Sequence, residues 1–196
     1  MKVLIDNGHG ENTPGKRSPD GRLREHAYCR EIADQVIFGL RKQGVDAERI
    51  VKEYIDVPLQ ERCRRVNENY KASGRKAILV SLHCNAAGNG ATWMSARGWS
   101  VFVANNASPN SRILAACLAK AADAKNVTVR RQCPNSDYWC QNLAICRDTL
   151  CPAVLVENFF QDNLEDVAFL LSEAGKQCVT DICVKGILDY IEERDA

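Results

Sequence analysis

Short apolar runs alternate with helical periodicities along this chain. Val3 to Ile5 with their flanks read as a buried strand that halts at Asp6-Asn7-Gly8 and presents His9 between two glycines. Glu25 to Gln43 carries Ala27, Ile32, Ala33, Val36, Ile37 and Leu40 at helical spacing, and Gly44 stops it. Val45 to Ile50 is a second strand-like stretch, and Pro58 opens a helix with Leu59, Cys63, Val66 and Tyr70 on one face. Ala77 to Leu82 is a strongly apolar strand running into His83-Cys84-Asn85-Ala86. Trp99 to Ala104 alternates as a strand. Asn110 to Ala124 reads as a helix, with Asn110 or Ser111 near its cap and Ile113, Leu114, Cys117, Leu118 and Ala121 facing inward. Ala153 to Glu157 is the last core strand, and helices over Leu164 to Leu171 and Gly175 to Glu193 close the chain. Residues 11–24, 87–97 and 126–150 are polar and read as loops. Strands alternating with helices predict an α/β fold: a mostly parallel twisted sheet with helices on both faces. No repeat, low-complexity linker or internal boundary interrupts the pattern, so residues 1–196 are expected to form a single domain with no separate binding module.

Composition narrows the classes. A chain of 196 residues with 45% hydrophobic and 26% charged residues is ordinary for a globular domain with a real core. A net charge of +1 gives no bulk electrostatic reason to expect a nucleic-acid partner or an anionic membrane. No apolar run approaches the roughly 20 residues of a membrane span. The N-terminus enters a strand without the pattern of an export signal. The protein is therefore expected either to wait in the cytoplasm until another device releases it, or to be exported with its signal already removed. Ten cysteines are many, but none forms a C-x-x-C pair, and Cys117, Cys178 and Cys183 sit inside apolar patterns. Free thiols are the expectation, with Cys133 to Cys151 the place where a disulfide would form in an oxidising compartment. Oligomeric state is not legible.

In sheets of this kind, ligands gather at the carboxyl ends of the strands. Three core strands here end in ionisable residues: His9, His83 and Glu157. Packing does not explain three such placements, because charged groups are rarely buried without a partner. Two histidines and a carboxylate are a usual ligand set for a catalytic zinc with an open position. Glu25, in the first helical turn, is the natural third ligand, which leaves Glu157 as general base and acid. His26 lies about 100° round the helix from Glu25, so only one of the two can face the metal squarely. Chemistry alone leaves open that these are satisfied structural residues.

Several blocks then resemble one family. Ile5-Asp6-Asn7-Gly8-His9-Gly10 is similar to the opening Asp-Pro-Gly-His-Gly strand and turn of zinc-dependent N-acetylmuramoyl-L-alanine amidases of the amidase_3 type. Glu25-His-Ala-Tyr-Cys-Arg-Glu-Ile-Ala33 resembles that family's Glu-Lys-Asp-Leu-Asn-Leu-x-Ile-Ala helix start. Leu59-Gln-Glu-Arg62 with Asn67, Ser81-Leu-His83-Cys-Asn85-Ala86, Gly98 to Val103, and Pro152 to Glu157 through Asn163 follow in the family's order. The resemblance implies that His9, Glu25 and His83 hold zinc and that Glu157 is the catalytic glutamate. It implies hydrolysis of the amide between N-acetylmuramic acid and L-alanine of peptidoglycan, with peptidoglycan or a muropeptide as substrate. A zinc peptidase of the stem peptide and a non-catalytic peptidoglycan-binding domain are the alternatives.

Two departures carry expectations. Asn7 stands where the family has Pro and should loosen the turn. Phe159 stands where the family has Gly and should thicken the wall beside Glu157. Cys84, next to His83, should point to the opposite face of its strand. Asn85 and Arg62 are candidate substrate contacts, Arg62 with a structural role as the competing reading. Glu31 reads as solvated or salt-bridged and Trp99 as core. Trp93, Tyr138 and Trp139 are candidate groove aromatics, and Arg130 and Arg131 candidate partners for stem-peptide carboxylates.

Overall fold

The computed structural model describes residues 1–195. Six strands form one sheet in the order β2-β1-β3-β6-β4-β5. They are β1 (Lys2–Asn7), β2 (Asp46–Arg49), β3 (Ala77–Asn85), β4 (Ser100–Ala104), β5 (Trp139–Gln141) and β6 (Ala153–Phe160). β2, β1, β3 and β6 run parallel, whereas β4 is antiparallel to β6 and β5 is parallel to β4. The sheet is thus mostly parallel but mixed at one edge.

Alternation along the strands sorts the core into two layers. Val3, Ile5, Ile78, Val80, Leu82, Val154 and Val156 join one apolar cluster with helices α1 (Glu25–Lys42), α3 (Pro109–Ala124), α5 (Leu164–Leu171) and α6 (Glu173–Asp195). Leu4, Leu79, Ala153 and Leu155 join a smaller one with α2 (Leu59–Ala72) and the single turn α4 (Ala144–Arg147). Helices therefore cover both faces. α1 returns the chain to β2 on one side of β1, and α2 carries it over β1 to β3 on the other. The chain thus reverses direction between β1 and β3, the switch point where such sheets open a crevice. No helix among the described residues is long and apolar enough to cross a membrane.

Several boundaries differ from the sequence reading, each for a physical reason. β3 runs on through His83, Cys84 and Asn85, because the period-two alternation continues after the apolar run ends. β6 likewise runs to Phe160, across an irregularity in the register between His83 and Asn85. Ser108, not Asn110 or Ser111, caps α3 by accepting from the Ser111 amide, with Pro109 behind it. Leu59 opens α2 at 46% exposure and does not join the buried face of Cys63 and Val66. The polar stretch 126–150 contains β5 and α4, too short to show a period. All ten cysteines are unpaired in the structure.

Candidate active site

β1 delivers the first site residue through a tightly packed turn. Asn7, in the place of the family's Pro, is the last residue of β1, fully buried and in register with Leu82. Neither flanking glycine supplies the unusual backbone angle. His9 itself is left-handed, at φ +59°. The glycines are needed for space. A Cβ on Gly8 would lie 2.5 Å from Cε1 of His83, and one on Gly10 would lie 2.0 Å from the Asp56 amide nitrogen.

Two arginines hold the strained turn. Arg30 of α1 donates to the His9 carbonyl at 3.1 Å and Arg62 of α2 at 3.4 Å. Arg62 also donates to the carbonyls of Val57 and Asn7 and to the carboxylates of Asp6 (2.7 Å) and Asp56 (2.9 Å). These contacts engage all five N–H groups of a guanidinium. Arg62 therefore has no donor left for a substrate, and its work is to hold the turn. Asp6 is completed by the Ser81 hydroxyl at 2.6 Å. Asp56 also accepts from Thr13, whose Oγ1 receives the Gly10 amide, so the loop after His9 is tied down from both ends.

His83 stands on the face of β3 that carries Leu79 and Ser81, turned toward α2. Cys84 points the other way, into the larger core cluster, as alternation requires. Glu25 comes in from the start of α1, whose N-cap, Arg24, makes no side-chain cap. One oxygen of Glu25, Oε1, lies 3.1 Å from Nδ1 of His83 and 3.4 Å from Nε2 of His9, and accepts the Cys84 amide at 3.0 Å. The two imidazole rings meet edge to face, with centroids 4.9 Å apart. Burial alone would raise the Glu25 carboxyl, but the His83 and His9 contacts outweigh it and hold the group well below the carboxylate range.

These three side chains fit a metal ion. Each offers a ligand atom, and the three atoms lie within 4.8 Å of one another. The second oxygen of Glu25, Oε2, is buried with no hydrogen-bond partner. A buried carboxylate oxygen without a partner is costly unless a cation completes it. A cleft of about 320 Å³ opens over His9 and His83, walled by Val57, Leu143, Ile145 and Leu155. Substituting Gly8→Ala is expected to push the His83 ring aside. It should weaken metal binding by about 10–100-fold, the effect of disturbing a ligand's support, while the fold survives. A chelator competition titration reads this directly, and unchanged affinity would count against the close packing of Gly8 on His83.

Glu157 pairs in register with His83 across β3 and β6, so the two side chains share a face of the sheet. Its Oε2 is buried and unpartnered. Burial pushes its carboxyl up to about 7; the charge of His83 lowers it, that of Glu25 raises it, and that of Lys16 lowers it. A cation on the three ligands would draw it down again.

The remaining candidates disperse. Asn85 bends its Oδ1 onto the Ala86 amide and its carbonyl onto the Gln161 amide, ordering the end of β3. Phe159 does not thicken the wall beside Glu157: it is buried in the larger core cluster and meets Phe169 edge to face at 5.1 Å. It is left-handed, φ +63°, which is the conformation a glycine there adopts without strain. Trp99 is fully buried. Trp139 stacks on Phe102 and donates to the Arg130 carbonyl, so it belongs to the sheet edge, whereas Trp93 stands partly exposed on the 87–97 loop. Tyr138 packs against the core and lies under Arg112. Arg130 covers the Phe160 ring and Arg131 pairs with Asp123. Glu31 pairs with Lys176. The structural reading of Arg62 is the one its contacts support, but its partners Asp6 and Asp56 and the 54–57 loop were not foreseen; the only local signal was an aspartate near the end of the first strand.

A family model described as N-acetylmuramoyl-L-alanine amidase (Amidase_3) matches residues 3–189. The N-acetylmuramoyl-L-alanine amidase of Clostridium difficile 630 superposes with a TM-score of 0.84 at 24% identity, covering 99% of this chain and 98% of that one. The catalytic domain of CwlV, the amidase of Bacillus (Paenibacillus) polymyxa var. colistinus, gives 0.81 at 24% identity, covering 98% of each. At such identities these likenesses establish a shared fold. An endolysin of Bacillus phage SPP1 is 22% identical over 190 residues, which are 96% of this chain; the chain spans 65% of that relative's length. With the family model running over nearly its whole length, this chain belongs to the N-acetylmuramoyl-L-alanine amidases of the Amidase_3 family.

Proposed function

We propose that the protein is a zinc amidase that hydrolyses the amide between the lactyl group of N-acetylmuramic acid and L-alanine in peptidoglycan. The observation that carries this is the convergence of His9, Glu25 and His83 within 4.8 Å, with the unpartnered Glu157 carboxylate on the same sheet face as His83. A His, His, carboxylate donor set suits zinc, which in such a site polarises the carbonyl and makes water a nucleophile near neutral pH. His9, Glu25 and His83 would be its ligands. Glu157 has no competing partner, so it is free to take the proton of the water that attacks the lactyl carbonyl. It returns a proton to the alanine nitrogen as the carbon–nitrogen bond breaks. The buried Oε1 contacts keep Glu25 ionised and unable to take over that role. Arg30 and Arg62 keep His9 in place, and the Val57, Leu143 and Ile145 side chains shield the reacting amide from bulk water.

Mass spectrometry of the products from a defined muropeptide tests this. The expected result is a free N-acetylmuramic-acid sugar and an intact peptide beginning at L-alanine, both lost on chelation. Shortened peptides still attached to sugar would move the assignment to a stem-peptide peptidase. No cleavage by the zinc-loaded protein would favour a binding role.

A further inference from the structure

Beside the metal ligands lies a second cavity, of about 440 Å³, that the chemistry above does not use. Its floor is a small hairpin whose strands are joined by the Ser18 amide to the Leu23 carbonyl and the Glu25 amide to the Lys16 carbonyl. Between those bonds Arg17 and Arg24 face each other in an antiparallel bridge. That geometry is the non-hydrogen-bonded pair, the closer of the two cross-strand kinds, with both side chains on one face. Like charges there repel. Lys16 and His26 line the same cavity, against a single carboxylate, Glu11. Among the described residues no carboxylate pairs with Lys16, Arg17 or Arg24. Asp20, in the turn between the arginines, is taken by Arg22 at 2.6 Å and by the Ser18 hydroxyl at 2.7 Å.

The hairpin is built firmly all the same. Leu23 anchors it in the core at 1% exposure. The 87–97 loop closes over it, so that a Cβ on Gly90 would lie 3.2 Å from the Gly15 carbonyl. A rigid ribbon that presents two opposed arginines without a counter-ion is arranged for an anion that arrives from outside. Its place relative to the site is set by the backbone: Arg24 and His26 flank the metal ligand Glu25, and Glu11 follows His9 by two residues.

The substrate proposed above says which anion. Its lactyl carboxyl is consumed in the scissile amide, so the sugar side carries no charge, and the free carboxylates lie on the peptide beyond L-alanine. We infer that the Arg17–Arg24 ribbon with Lys16 is a subsite for a peptide carboxylate of the substrate, close to the cleaved bond. This rests on the amidase reading.

The test compares two substrates, N-acetylmuramoyl-L-alanyl-D-glutamate and the same compound with both glutamate carboxyls as primary amides. The zinc-loaded wild type should prefer the free acid by about tenfold or more in kcat/KM, the size of a charge-assisted contact. In the R17Q/R24Q variant that ratio should collapse toward one through a higher KM for the acid. Its melting temperature should stay level or rise, because a repulsive pair has been removed. Equal rates of the wild type on both compounds would overturn the inference and leave the amidase reading standing. So would a variant that loses both substrates equally with a lowered melting temperature. Cleavage of neither compound would overturn the amidase reading, and the inference with it.

Discussion

Glu157→Gln is expected to lower kcat by about 10²–10⁴-fold, the usual worth of a positioned acid–base group, without loss of metal. The two expectations come from separate parts of the geometry. Glu157 is not among the three residues that converge, so zinc content should match the wild type. Its carboxylate is buried with Oε2 unpartnered and its group pushed up to about 7, so the folded state gains nothing from its charge. A purely structural residue would lose stability on substitution. Here the metal-free variant should melt at the same temperature or higher, since a neutral amide relieves the buried charge. Kinetics on a muropeptide, metal analysis and a thermal melt on one preparation separate the readings. Near-normal turnover would remove Glu157 from the mechanism.

Arg62→Met is expected to destabilise the fold by about 3–5 kcal/mol, as breaking one side of a buried ion pair does. For a domain of this size that is roughly a 10 °C fall in melting temperature. Arg62 is 4% exposed and Asp6 is 1% exposed, so removing the guanidinium leaves a carboxylate in the interior with only the Ser81 hydroxyl to answer it. The Asn7 and His9 carbonyls lose a donor at the same time, and His9 sits at φ +59°. The lost stability should therefore come with weaker metal binding. Adding Asp6→Asn to Arg62→Met should restore part of the stability, because it removes the stranded charge, but not the full metal affinity, because the His9 turn is then held by Arg30 alone. A single variant with unchanged stability would show that the network does not bear on the turn.

The grouping of His9, Glu25 and His83, with Glu157 on the same sheet face as His83, was legible in the sequence because each residue terminates or opens an element. His9 follows the first strand, His83 and Glu157 lie at the ends of apolar runs, and Glu25 begins an amphipathic helix. The network that holds them was not. Arg62 meets Asp6 across 56 positions, and nothing local distinguishes a helix arginine that points inward from one in solvent. The role of Gly8 and Gly10 was hidden for a related reason. Glycine permits unusual angles and close approach alike, and only the fold shows that His83 and Asp56 press against them. Phe159 was misplaced because its left-handed backbone turns the side chain into the core. The Arg17–Arg24 pair was hidden inside a stretch that reads as loop, since one isolated bridge leaves no period.

A zinc titration of chelated protein, with cleavage of the lactyl amide followed at each addition, tests the metal-dependent mechanism most directly. Activity should be absent at the start, rise in proportion to metal and stop rising at one equivalent per chain, and His9→Ala should hold zinc far more weakly. Full activity in the chelated protein, or unaltered zinc affinity in His9→Ala, would contradict it.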